Sequence, residues 1–281
     1  MEVTEKQPEE QINPIERENH CLQLAICLME DLEIKNLTPQ LRSLCDTLIL
    51  PNIGSIVEEI RFLAVKALCL TCMLKLELAQ KYTPLLLEMI QQDKKEVVLM
   101  AFRGMINLIM AFSINRLICN EEQIEDVQMI TEAQKNVLTV MWSLIDSEDS
   151  DVYTTATEGF CKLYMTGHLL SAKMFSKLFI MYYSPLNEND TKLKAILSAF
   201  LPQFSFLRFN NQLCVEESFM ITIKSLINAP VDNYLCEIDL NKVIETLLHL
   251  TNPKNLISRK TVNKRQGHTV IQNKFYLKNF K

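Results

Sequence analysis

The chain has 281 residues, is 48% hydrophobic and 22% charged, and carries a net charge of −5 from 29 basic and 34 acidic residues. Only five residues are glycine, about 2% against an average usage of about 7%. Glycine supplies positive φ and close backbone approach, so its scarcity argues against phosphate-cradling loops and tight β-hairpins, and neither G-x-G-x-x-G nor G-x-x-x-x-G-K-[ST] occurs.

Residues 1–15 are polar and acidic, contain Pro8 and Pro14, and read as a disordered lead-in with no signal or transit character. Beyond them apolar residues recur at i, i+3, i+4 and i+7. The spacing predicts helices over 16–33, 38–50, 55–76, 77–91, 94–113, 131–147, 150–167, 171–183, 190–208, 211–227 and 239–251, with no strand. The punctuation agrees. Thr38-Pro39 reads as an N-cap followed by proline at N1, Asp149 to Asp151 as an acidic helix start, and Pro51, Pro185, Pro230 and Pro253 fall in the breaks. Pro84 and Pro202 lie inside helical patterns, where each marks a kink or a boundary.

Three of these helices superpose. Ile60, Ala64, Ala67 and Leu68 share their spacing with Val97, Ala101, Gly104 and Met105, and with Val152, Ala156, Gly159 and Phe160. Small residues at +4 and +7 share one helix face and admit a close neighbour. The copies are offset by 37 and 55 residues, against a two-helix unit of about 40 to 47 residues in HEAT or armadillo arrays. The larger offset fits one unit with an insertion at about 115–131, including the acidic run 120–126. The predicted fold is therefore all-α, a HEAT-like α-solenoid of stacked antiparallel helix pairs over 16–253; a closed bundle is the alternative.

From Lys254 onward the chain has eight basic and no acidic residues, leaving 21 basic against 34 acidic, or −13, for residues 1–253. Residues 254–281 thus read as a basic, poorly ordered tail. Lys260, Lys264 and Arg265 within it are the candidate nucleic-acid-binding residues, since basic side chains displace counterions from phosphates. Nine cysteines, an odd number among mostly apolar neighbours, read as reduced thiols. The longest apolar stretch, 104–114, is far shorter than a membrane span of about 20 residues. These features lead to the expectation of a soluble intracellular protein with no membrane partner.

Catalytic and metal chemistry has no clear carrier. Cys69 and Cys72 form a C-x-x-C, but it lies mid-helix in an apolar run with no second pair and no nearby histidine, so it reads as core. His20, His168, His249 and His268 are scattered, G-x-S-x-G is absent, and the acidic pairs Glu58-Glu59, Glu121-Glu122 and Glu216-Glu217 suit solvated helix faces. Thirteen methionines and thirteen phenylalanines suit seams between helices, with a Met-lined groove as the alternative. The physical reading is a binding scaffold with no cofactor, no metal, no catalytic residue and no small-molecule substrate.

Particular strings carry a resemblance. Thr155 to Tyr164, TATEGFCKLY, resembles the E-G-hydrophobic-x-K-L block of the condensin complex subunit 3 (CAP-G) family in its C-terminal HEAT domain. Phe179 to Pro185, Phe200 to Phe204, Asn211-Gln212, and Asn228-Ala229-Pro230 with Glu237-Ile238-Asp239, Asn241, Val243 and Leu250-Thr251 are similar to further blocks of that domain in order. Leu48 to Pro51 and Ile60 to Leu74 resemble the helix that enters it. The resemblance covers about residues 20–253 and ends at Pro253.

It implies a non-catalytic HEAT-repeat subunit of condensin, the SMC ATPase complex that compacts mitotic chromosomes. The implied partners are the kleisin subunit, through it the SMC ATPase subunits, and double-stranded DNA held in a basic groove shared with the kleisin. The implied location is nucleus and chromosome, with a cytoplasmic pool. An unrelated HEAT-repeat adaptor for protein–protein interaction is the alternative, and no kleisin-contacting residue is assigned.

Overall fold

The computed structural model describes residues 13–257 apart from 32, 33, 35 and 119–126. The lead-in up to residue 12, the acidic run 120–126 and residues 258–281, with Lys260, Lys264 and Arg265, lie outside the described residues. All regular structure among the described residues is helical. The chain divides into two compact units, Met1–Met105 and Ile106–Lys281.

The first unit contains α1 (Pro14–Met29), α2 (Pro39–Leu44), α3 (Leu50–Ile53), α4 (Glu58–Leu74), α5 (Leu76–Gln92) and the start of α6 (Lys95–Phe112). Asn13 and Thr38 cap α1 and α2 with their side chains, each followed by a proline whose missing N–H costs nothing in the first turn. α1 lays Leu22, Ala25, Ile26 and Met29 into the core and packs along α4. The sequence places a break at Pro51, but α2, a π turn over Cys45–Ile49 and α3 run on without one. The π turn shifts the hydrogen-bond register just ahead of the proline, which has no N–H to donate. Asn52 Nδ2 donates to the Leu48 carbonyl at 2.9 Å within the same stretch. At the end of α5, Asp93 takes a bidentate pair from Arg61, at 2.9 Å from Nε and 2.6 Å from the second nitrogen. A third Arg61 nitrogen donates to the Ser55 carbonyl at 2.7 Å.

The second unit holds the rest of α6, then α7 (Ile114–Ile118), α8 (Val127–Trp142), α9 (Ser150–Thr166), α10 (Ala172–Tyr183), α11 (Thr191–Leu207), α12 (Phe209–Ile227) and α13 (Leu240–Leu250). Here α10 packs on α11 and α12, α11 on α9, and α13 on α11 and α12. α7 and the first turn of α8 occupy ground that the sequence assigns to an insertion; a five-residue helix is too short to show a period. Pro84 and Pro202 sit within α5 and α11, which continue on both sides of them, so neither is a boundary. α9 ends at Gly167, whose φ of 80° is left-handed. That geometry lets the His168 N–H reach back to the Leu163 carbonyl at 2.9 Å.

All twelve positions of the repeated small-residue pattern are buried. At Gly104 the reason is visible: a Cβ there would lie 2.1 Å from Cys69 Sγ and 3.0 Å from Cys69 Cβ. α6 therefore crosses α4 at a distance only glycine permits. Gly104→Ala is expected to lower stability in a urea melt by about 1–3 kcal/mol. Cys69→Ala in the same chain should recover part of that loss, so that the two substitutions do not add.

Candidate partner-binding groove

Among the described residues, burial sets several cysteines aside from chemistry. Cys69 and Cys72 are fully buried, and burial pushes the Cys69 thiol up to about 12 and the Cys72 thiol well above its ordinary value. Burial likewise raises Cys45 to about 11. These sulfurs stay protonated and act as small apolar groups. Not every thiol is interior, since Cys21, Cys27 and Cys236 are exposed. His20 sits exposed on α1, His168 follows α9 with its basicity lowered by burial, and His249 sets its ring against Phe206. Among the described residues no three of His, Cys, Asp and Glu converge on a metal-sized site.

What the second unit does offer is an open groove of about 1290 Å³ along α8, α10 and the start of α9. Its floor is apolar, with Trp142, Ile145, Leu169, Met174 and Ile180, and the exposed Leu170 and Leu186 stand at its edge. Of the charged residues that line it, Lys135 pairs with Glu132 at 3.1 Å and Lys177 with Asp146, while Lys173 and Glu148 are exposed. Trp142 is held edge-on to Phe160, ring centroids 4.7 Å apart. Tyr153 is held by its hydroxyl, which donates to Asp190 Oδ2 at 3.1 Å. Ser176, between α10 and α12, accepts from the Thr222 hydroxyl at 2.8 Å.

Asp190 organises one wall. Its Oδ1 accepts the Leu193 N–H at 2.8 Å, capping α11, and its Oδ2 also accepts from Thr154 at 3.1 Å, tying α11 to α9. Burial pushes its carboxyl up, but the hydrogen bonds from Leu193, Tyr153, Thr154 and Lys192 outweigh that and hold it below the ordinary value. Burial, with the adjacent Asp190 charge, raises Tyr153 in turn. The groove presents an apolar strip with edges of mixed charge to an elongated ligand. Sequence periodicity does not reveal it, since Leu170 and Leu186 lie in connections between helices.

The signature strings have a different role. Phe200 and Phe204 join Tyr164 and Phe175 in a buried aromatic cluster with centroids 5.2 to 6.1 Å apart. Asn211 Nδ2 donates to the Phe204 carbonyl at 2.9 Å, and Gln212 Nε2 to those of Leu250 and Asn252 at 3.1 and 2.9 Å. These bonds satisfy carbonyls around the ends of α11 and α13. Asp239 caps α13, Glu158 and Lys162 pair at 2.9 Å along α9, and Gly159 is buried. Most of the blocks pack the core and close helix ends, and of them the Phe179–Pro185 segment alone reaches the groove, through Ile180, Met181 and Ser184.

A model of the family described as nuclear condensing complex subunits, C-terminal domain, matches residues 20–280. The condensin complex subunit 3 of Homo sapiens is 34% identical over 280 residues, covering 93% of this chain and 27% of the human protein. That of Xenopus laevis is 30% identical over 269 residues, covering 84% and 26%. The chain thus spans about a quarter of the length of these curated relatives. In the crystal structure of the S. pombe condensin Cnd3-Cnd2 subcomplex, one chain superposes with a TM-score of 0.74 at 20% identity, covering 87% of this chain and 32% of that one. That likeness is one of fold, and it is all-helical and HEAT-like as the repeat pattern predicts. The family match runs beyond Pro253, where the resemblance of the strings ends, to residue 280.

Asp190 supplies a pH signature for the groove wall. Its depressed folded value means its stabilisation is present above the unfolded value of about 3.9 and is lost as pH falls through the lower folded value. Asp190→Ala is expected to cost about 1–2 kcal/mol at pH 7 and progressively less as the pH drops below that range, read from urea melts across pH.

Proposed function

Because the chain belongs to the condensin complex subunit 3 family through its C-terminal domain, we propose that it is a non-catalytic helical scaffold that binds the kleisin subunit of condensin. Through the kleisin it engages the SMC ATPase subunits in mitotic chromosome condensation, at the nucleus and chromosome with a cytoplasmic pool. The observation that carries the reading is the family match along residues 20–280. The fold likeness to a chain crystallised as a Cnd3-Cnd2 subcomplex supports it, Cnd2 being the kleisin of that complex.

The groove of the second unit suits a kleisin segment. A bound chain that fills the strip between Leu170, Met174 and Leu186 covers apolar surface worth roughly 1.5–3 kcal/mol per fully buried side chain. The exposed Lys173 on the rim favours a segment with an acidic residue beside its apolar anchors. In a pull-down from mitotic extract the wild-type chain is expected to retain the kleisin. Leu170→Asp with Leu186→Asp, both at exposed positions, should reduce recovery at least about tenfold. Unchanged recovery with the double variant removes the groove from the interface, and no kleisin with the wild-type chain overturns the function.

The tail adds a second contact, to double-stranded DNA, through Lys260, Lys264 and Arg265. Replacing all three with glutamine is expected to weaken DNA retention and reduce the slope of log affinity against log salt by about 2–3. An unchanged slope assigns the tail no phosphate contacts.

A further inference from the structure

α12 is apolar on two sides. Asn211, Cys214, Val215, Ser218, Thr222 and Leu226 are buried in the second unit, where α12 packs on α10, α11 and α13. On the opposite side Phe209, Leu213, Met220 and Ile227 are 68%, 42%, 56% and 64% exposed, with Ile223 half-buried in the same row. Together with Glu216 these positions follow a 4-3-4-3-4 spacing along the whole helix, which places them in one straight seam. Scattered surface leucines need no account, but an apolar row of this length, interrupted at Glu216, marks a surface that something covers.

Three further facts identify the cover. The described chain arrives at the head of the seam: the Ile257 N–H donates to the Phe206 carbonyl at 2.9 Å, three residues before Phe209. The 24 residues that follow, 258–281, carry Val270, Ile271, Phe275, Tyr276, Leu277 and Phe280. They reach about 36 Å even if helical, against about 27 Å from Phe209 to Ile227. Their charge is complementary, with seven basic residues and no acidic one, whereas Glu216 and Glu217 stand exposed on or beside the seam, offset by Lys224 alone on that side of α12. The family match extending to residue 280 treats this segment as part of the domain's own pattern.

We propose that residues 258–281 fold back along the outer face of α12, seating the apolar side chains between Val270 and Phe280 on the Phe209–Ile227 seam with their lysines beside Glu216 and Glu217. The inference is independent of the kleisin and DNA readings. It gives the tail a structural role and makes the seam internal to the protein.

Hydrogen–deuterium exchange on the full chain tests it. Amides of residues 270–280 are expected to exchange at least about tenfold more slowly than in a synthetic peptide of residues 258–281. Met220→Glu with Ile227→Glu should bring them to the peptide rate. Phe275→Ser with Leu277→Ser, outside the helical body, should do the same and guards against an unfolding artefact in α12. Tail amides that exchange at the peptide rate in the wild-type chain overturn the proposal. So does a concentration-dependent dimer that the α12 variant dissociates while tail exchange stays unchanged, since the cover is then a second copy.

Discussion

How near two helices can lie is decided by the side chains at their crossing, and in the first unit that limit is reached at Gly104 and Cys69. With Cys69 Sγ 2.1 Å from where a Cβ of Gly104 would stand, the two helices have no slack for even one added methyl group. A close crossing increases dispersion contact along the whole interface, which is how α4 and α6 bury Ala64, Ala67, Leu68, Val97, Ala101 and Met105 completely. The same spacing in α9 buries Ala156 and Phe160 in the second unit. There the aromatic cluster of Tyr164, Phe175, Phe200 and Phe204 fills the space between α9, α10 and α11. Scarcity of glycine and its placement at crossings are thus two sides of one design. Helices need few glycines, and of those described Gly104 sits at a close contact and Gly167 at a left-handed cap.

Much of this was legible from periodicity and caps. The small-residue pattern picked out a contact face because its spacing is that of a helix surface, and Thr38 and Asp149 announced helix starts through the hydrogen bonds their side chains make. The errors fall where local sequence does not determine hydrogen bonding. At Pro51 the π turn over Cys45–Ile49 absorbs the missing donor, and nothing in the residue types signals that shift. At Ile114–Ile118 a helix of five residues shows no period. The groove was not legible at all, because Trp142, Met174 and Leu170 come together only after α8, α9 and α10 have packed.

The family blocks show a further separation. Several of their members, Asn211, Gln212, Gly159 and the Phe200–Phe204 segment, are spent on carbonyl satisfaction and packing. A backbone carbonyl left unpaired in the core costs far more than a surface contact gains, so such residues identify the fold without identifying the partner. The apolar groove of the second unit and the outer seam of α12 are built from commoner residues instead. An acidic body of charge −13 with a basic end suits a scaffold whose contacts are divided between an apolar groove and a charged segment.

The claim on which the functional account rests is that this chain is a kleisin-binding scaffold. Light scattering on a gel-filtration column, with the purified full chain and the condensin kleisin mixed at about 10 µM, measures it without assuming where the contact lies. A one-to-one complex whose mass is the sum of the two chains is the result the account predicts. Two separate peaks at the masses of the free proteins contradict it.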